Sequence, residues 1–359
     1  MKCEHMERIE NVNVAGFSPL ISPACLKADQ PITPVAEATV VAARAAIRAM
    51  LDGVDRRMLV VVGPCSIHDP TAAMEYARRL KLLRDELADS LFIVMRVYFE
   101  KPRTTVGWKG LIYDPRLDGS ADIEEGLRTG RRLLLAINTI GVPTATEMLD
   151  PIVPQYIADL VSWGAIGART TESQIHRQMA SGLSMPIGFK NRTDGDIQAA
   201  LDALAASRLP HSFLGIDSDG RSCIVKTVGN LHGHVVLRGG SRSGSNTDQD
   251  TLQQTVCKLV TAGLPPRIMI DCSHGNTGKR YEVQADVLAA AVSERVHGQS
   301  ALFGVMLESN LHEGSQKVVT PAALKYGVSI TDACLGWEVT AQVLRTAAHA
   351  LAPVVGLRA

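Results

Sequence analysis

The 359-residue sequence predicts an α/β protein: a (β/α)8 TIM barrel with an N-terminal extension and an inserted β-hairpin. Three observations predict it. From about residue 58 short apolar runs alternate with longer helical patterns, eight such runs can be counted, and each one leads into a functional side chain at its C-terminal end. With 46% hydrophobic and 21% charged residues there is enough apolar material for one large core or two modest ones. Thirty-seven Lys and Arg balance thirty-seven Asp and Glu, so no global field draws the chain to nucleic acid or an anionic membrane. No apolar run suits a membrane helix and the first residues lack the cationic and apolar regions of a signal peptide, so a cytoplasmic location is expected. Seven cysteines without a C-x-x-C pair read as reduced thiols. Neither a P-loop nor G-x-G-x-x-G is present, which leaves nucleotide binding without support.

Taken in order, residues 1–57 precede the alternation and contain an Ala-rich helix at 34–51; they form an extension to a catalytic barrel of 58–359. Strands are expected at 58–63, 91–98, 143–147, 164–169, 186–190, 233–238, 267–271 and 302–308, rich in Val, Ile and Leu as strands covered on both faces are. In the first helix Asp69 is the cap, Pro70 lies in the first turn, and Ala73, Ala77, Leu80, Leu83 and Leu87 form one stripe. Further helices are expected at 122–139, 171–181, 195–207, 247–262, 280–296 and 331–351. Residues 213–228 interrupt the pattern as a β-hairpin turning at Asp219-Gly220, and the Ser/Gly-rich stretch 239–246 reads as a flexible, substrate-covering loop. No linker is long enough to demand a second domain.

The strand ends carry Cys65, Arg96, Glu147, Arg169, Lys190, Arg238, His274 and Glu308 in turn. Alternation places Arg96, Arg169, Lys190, Arg238 and Glu308 on one face, while Met95, Ala168, Phe189, Leu237 and Leu307 share the apolar face that meets the helices. Any one of the four cations could be an ion-paired or snorkelling rim residue. Four together, with only Glu147 and Glu308 to neutralise them, point to a small phosphorylated acid. The Lys101-Pro-Arg-Thr-Thr105 run is either a second phosphate cradle or a solvated loop. Cys65, His274, Glu308 and Asp332 lie on adjacent units and suit one divalent ion, Mn²⁺, Fe²⁺, Co²⁺ or Zn²⁺; the competing reading is an inert buried cysteine and a helix-capping aspartate.

Val62-Gly-Pro-Cys-Ser-Ile-His-Asp-Pro70, Met95-Arg-Val-Tyr-Phe-Glu-Lys-Pro-Arg-Thr104, Gly167-Ala-Arg-Thr-Thr-Glu172, Gly188-Phe-Lys-Asn191, Val236-Leu-Arg-Gly239, Asp271-Cys-Ser-His274 and Ser329-Ile-Thr-Asp332 closely resemble the class I 3-deoxy-D-arabino-heptulosonate 7-phosphate (DAHP) synthases, in their microbial, feedback-regulated subtype. The resemblance spans nearly the whole chain and implies a transferase that opens the shikimate pathway of aromatic amino acid biosynthesis. It assigns Cys65, His274, Glu308 and Asp332 to the metal; Arg96, Glu147, Ala168, Arg169, Lys190 and Arg238 to phosphoenolpyruvate; and Lys101, Pro102, Arg103, Thr104 and Asp332 to erythrose 4-phosphate. Lys101, His274, Cys65 and Glu147 are the implied catalytic set. It also implies a homodimer or homotetramer. An inhibiting aromatic amino acid is implied between extension and hairpin, lined by Met148, Pro154, Gln155, Met179, Leu183, Ser184, Phe213, Gly215 and Val225. Gly215, where some relatives have serine, leaves room for a tyrosine hydroxyl. Arg192 and the lysine-free loop after Arg238 depart from the family pattern. The competing readings are 3-deoxy-octulosonate 8-phosphate synthase, which the Lys101-Pro-Arg-Thr104 loop argues against; a Schiff-base aldolase using Lys190; and a non-catalytic regulatory barrel that binds aromatic amino acids.

Overall fold

The computed structural model describes residues 9–356; the first eight residues of the expected extension, Cys3 among them, lie outside the described residues. Strands β1 (Met58–Gly63), β2 (Leu91–Arg96), β3 (Thr144–Glu147), β4 (Trp163–Ile166) and β5 (Ile187–Lys190) are followed by an outlying pair, β6 (Ser212–Ile216) and β7 (Ser222–Lys226). Then come β8 (Gly233–Leu237), β9 (Ile268–Asp271) and β10 (Leu302–Glu308). The eight strands other than β6 and β7 close into an all-parallel barrel in the order β1-β10-β9-β8-β5-β4-β3-β2, the expected fold, while β6 and β7 pair antiparallel as the expected hairpin.

Helices α1 (Pro23–Asp29) and α2 (Pro34–Leu51) precede the barrel, and α3 (Pro70–Glu86), α4 (Ile123–Thr139), α5 (Pro154–Ile157), α6 (Gln174–Gly182), α7 (Gln198–Ser207), α8 (Gln249–Thr261), α9 (Gln284–Val296) and α10 (Trp337–Gly356) surround it. The Asp69 side chain caps α3 through the N–H groups of Thr71 and Ala72. α1 was not expected, and only one four-residue turn, α5, joins β3 to β4 before a short 3-10 turn.

Several helices start later than the apolar pattern suggests. Gly195 has φ +108°, so α7 cannot begin there. Bridges from Ser315 to Ser329, Gly314 to Cys334 and Ser309 to Leu335 tie down both ends of a bend at 330–332, which delays α10 to Trp337. Asp332 therefore sits in a loop and does not cap a helix.

Side-chain alternation divides the core as expected except at Ala168, which lies past the end of β4 and lines the cavity at the strand ends. Met95, Phe189, Leu237 and Leu307 pack under the helices. Inside the barrel lie Leu59, Val61, Phe92, Val94, Trp163, Val236, Phe303 and Met306, in one cluster with Ala43, Ile47, Met50 and Leu51 of α2. α2 thus stoppers the N-terminal end of the cylinder. Arg44 ties it down by donating to the carbonyls of Ala158 and Val161.

Candidate active site

At the C-terminal ends of the strands the side chains surround a cavity of about 150 Å³ lined by Arg96, Lys101, Pro102, Arg103, Glu147, Ala168, Arg169, Lys190, Arg238, His274 and Asp332. Parallel strands turn their last inward residue toward this mouth, which is why residues distant in sequence meet there.

The four cations fall into two kinds. Arg96 is buried, its Nη2 2.9 Å from Glu308 Oε1 and its guanidinium carbon 3.5 Å from the centre of the Tyr98 ring. Lys190 Nζ lies 2.8 Å from Asp271 Oδ2. Arg238 and the exposed Arg169 make no ion pair among the described residues; they donate to the carbonyls of Gly239 and Pro102. Burial and the neighbouring Arg169 charge lower the Arg238 pKa. Arg169 does not end a strand as expected: β4 stops at Ile166, and the turn after Gly167 carries the guanidinium to the rim.

Asp271 is the functional residue that the sequence reading missed. It holds Lys190 and also approaches His274 Nδ1 at 2.9 Å. Burial would raise its carboxyl, yet the His274 and Lys190 charges hold it well below the usual carboxylate range. The signal was available, because Asp271 shares the inward face of β9 with Met269. Lys279 and Thr193 also line the cavity and were not anticipated.

Cys65 Sγ and one carboxylate oxygen each from Glu308 and Asp332 all lie within 4.8 Å of one another. His274 stands beside this trio, its Nε2 3.8 Å from Glu308 Oε1, in a left-handed backbone conformation at φ +56°. A thiol with two carboxylates, and an imidazole adjacent, fits a divalent first-row ion. Lys101 Nζ is 3.2 Å from Cys65 Sγ. Burial would raise Glu308, but the His274 and Arg96 charges hold it down to about 2, so it stays an anion.

Glu147 is buried, and its Oε1 has no hydrogen-bond partner among the described residues. A Cβ at Gly167 would stand 2.2 Å from that oxygen, so a larger residue there would have to displace the Glu147 carboxylate. In the 101–105 loop Lys101 N–H donates to the Lys109 carbonyl and Arg103 Nε to that of Trp108; Thr104 is exposed and lies outside the cavity wall. Behind the loop Glu100 is buried with its pKa pushed up to about 8 by desolvation and by Asp150. It accepts from the Asp150 N–H at 3.1 Å.

The loop 239–246 is anchored at both ends. Asn246 accepts from Gly239 N–H, and its own N–H donates to Asn276, whose amide donates to the carbonyls of Leu237 and Asp271.

Of the residues expected to line an effector pocket, some can be placed individually. Phe213 faces Val225 across the hairpin, Met148, Pro154 and Met179 are buried, and α6 packs against β6. A Cβ at Gly215 would meet Val225 Cγ2 at 2.7 Å.

The model of the DAHP synthetase I family matches residues 33–345. The chain is 51% identical over 340 residues to the Tyr-sensitive phospho-2-dehydro-3-deoxyheptonate aldolase of Salmonella typhimurium, covering 94% of this chain and 95% of that one. It is 53% identical over 342 residues to the Phe-sensitive Escherichia coli protein, at 95% and 97% coverage. The solved structure of a phospho-2-dehydro-3-deoxyheptonate aldolase from Francisella tularensis superposes with a TM-score of 0.92 at 47% identity, over 94% of this chain and 98% of that one.

Proposed function

Because the chain belongs to the DAHP synthetase I family, we propose that this barrel mouth condenses phosphoenolpyruvate, erythrose 4-phosphate and water into DAHP and phosphate. One observation supports this reading most: a single cavity is lined by Arg169 and Arg238, guanidinium groups without a carboxylate partner among the described residues, together with Lys190 and with Asp332 of the candidate metal-donor trio.

Arg169, Arg238 and Lys190, with the backbone at Ala168, hold the phosphate and carboxylate of phosphoenolpyruvate. Arg96, already paired with Glu308, adds charge from below. Lys101, Pro102, Arg103, Thr104 and Asp332 receive erythrose 4-phosphate, so two mutually repelling phosphates are held in register. Cys65, Glu308 and Asp332, with His274 at their edge, would hold one divalent ion, Mn²⁺, Fe²⁺, Co²⁺ or Zn²⁺, which when bound polarises the aldehyde oxygen.

The methylene carbon of phosphoenolpyruvate attacks the aldehyde carbon. The positive character that develops at the central carbon is quenched by a water, which Glu147 orders through its unpartnered oxygen. The resulting phosphohemiketal expels phosphate by carbon–oxygen cleavage while the cations stabilise the accumulating anions. Lys101 and His274 are the side chains placed to deliver a proton to the new alkoxide.

We further propose that residues 1–57 and the hairpin serve regulation and subunit contacts in a homodimer or homotetramer, and that an aromatic amino acid inhibits from the expected pocket set Met148 to Val225. Gly215 favours tyrosine. Phosphate release should require both substrates, fall to background with chelator, return with a divalent ion, and diminish with tyrosine. Turnover of arabinose 5-phosphate in preference to erythrose 4-phosphate would overturn the assignment.

A further inference from the structure

At the opposite end of the barrel, a second cavity of about 290 Å³ is bordered by Arg56, Arg267, Arg295, Asp55, Gly53 and Ser300. Arg267 stands just before β9 and Arg295 at the end of α9, and both donate to one acceptor, the Ser300 carbonyl, at 3.2 and 3.0 Å. Two guanidinium groups are thereby fixed side by side. Neither makes an ion pair among the described residues. Asp55, the acidic side chain on the wall, is engaged by Arg57 through Nε at 3.1 Å and Nη2 at 2.6 Å. Asp52 lies outside the wall and offsets only part of the Arg267 charge.

Arg267 Nε holds the Leu51 carbonyl and Arg295 Nη2 the Arg56 carbonyl, while Arg267 Nη2 lies against Gly53, where a Cβ would stand 2.6 Å away. The glycine, at φ +79°, leaves space that any other residue would fill. Burial lowers the pKa of both arginines, and the charges of Arg267 and Arg56 lower that of Arg295 further, while Asp52 offsets part of the Arg267 charge.

We propose that this cavity is a second anion site, specific for a phosphate group, free or as a monoester, and separate from the catalytic mouth. A tetrahedral dianion takes paired N–H donors from two forks and removes their mutual repulsion, which a single carboxylate does less completely.

Equilibrium dialysis of the full chain against labelled inorganic phosphate tests this, comparing wild type with Arg267→Gln/Arg295→Gln. The mouth contributes equally to both proteins. Wild type is expected to bind one more phosphate per chain, and its phosphate-dependent rise in Tm, over that in chloride of equal ionic strength, should fall by more than half in the variant. Arg295→Glu supplies an internal counter-charge and should abolish the extra site while keeping the circular dichroism spectrum and kcat of wild type, which guards against misfolding. Displacement of the label by glycerol 3-phosphate assigns the site to phosphate monoesters, and retention of the label assigns it to free phosphate. Equal stoichiometry in wild type and both variants, or an equal Tm rise in chloride, would overturn the proposal.

Discussion

His234, buried inside the barrel, shows how one residue couples the core to pH. Trp163 Nε1–H donates to its Nε2 at 2.9 Å, so the ring proton sits on Nδ1, 3.1 Å from the Val235 carbonyl. Burial depresses its pKa to about 4. The unfolded chain, titrating near 6.5, takes up a proton that the folded chain refuses. The contribution is therefore fully present above pH ~6.5 and is lost as pH falls toward 4. Relative to His234→Gln, wild type should lose about 3 kcal/mol between pH 7 and pH 4 in chemical denaturation; a constant difference would refute the assignment. Legibility at this scale followed the inward face of each strand. Arg96, Lys190 and Glu308 could be placed by alternation alone, whereas the split between paired and unpaired cations could not, because the Asp271 bond to Lys190 spans 81 residues.

Among the elements, the strands were the most readable, since continuous Val and Ile runs have no other stable home than a sheet covered on both faces. Helix starts were less so. At the start of the α7 pattern the Asp194 and Asp196 carboxylates accept from the N–H groups of Asp196 and Gln198 and hold the chain in turns, and apolar periodicity carries no trace of such bonds. The segment 239–246, read from its glycines as flexible, is bound down through Asn191, Asn246 and Asn276. Asn276→Ala would strip the Asn246 N–H and the Leu237 and Asp271 carbonyls of their partner, at about 1–3 kcal/mol for each buried group left unsatisfied. The base of the loop carries Arg238, so KM for phosphoenolpyruvate should rise several-fold with a smaller change in kcat. An unchanged KM would show that the asparagines serve stability alone.

For the whole molecule, the barrel alternation made the architecture legible, and residues 1–57 and the hairpin stood out because they break it. Both carry exposed apolar side chains: Phe17 is 81% exposed, and Leu214 and Ile224, paired across the hairpin, are 87% and 67% exposed. Side chains of this kind on a regular hairpin face fit the proposed subunit contact. Leu214→Asp/Ile224→Asp should lower the mass measured by light scattering toward that of one chain while leaving the circular dichroism spectrum intact. A wild type already monomeric would remove that role.

The stopper helix α2 also shapes turnover. Among the described residues Ile47, Met50, Trp163 and Phe303 pack the far end of the barrel, so substrates and products are expected to pass through the same mouth at the strand ends. Traffic there must be sequential, and a lingering product obstructs the next arrival, so inorganic phosphate should slow the cycle simply by standing in the doorway.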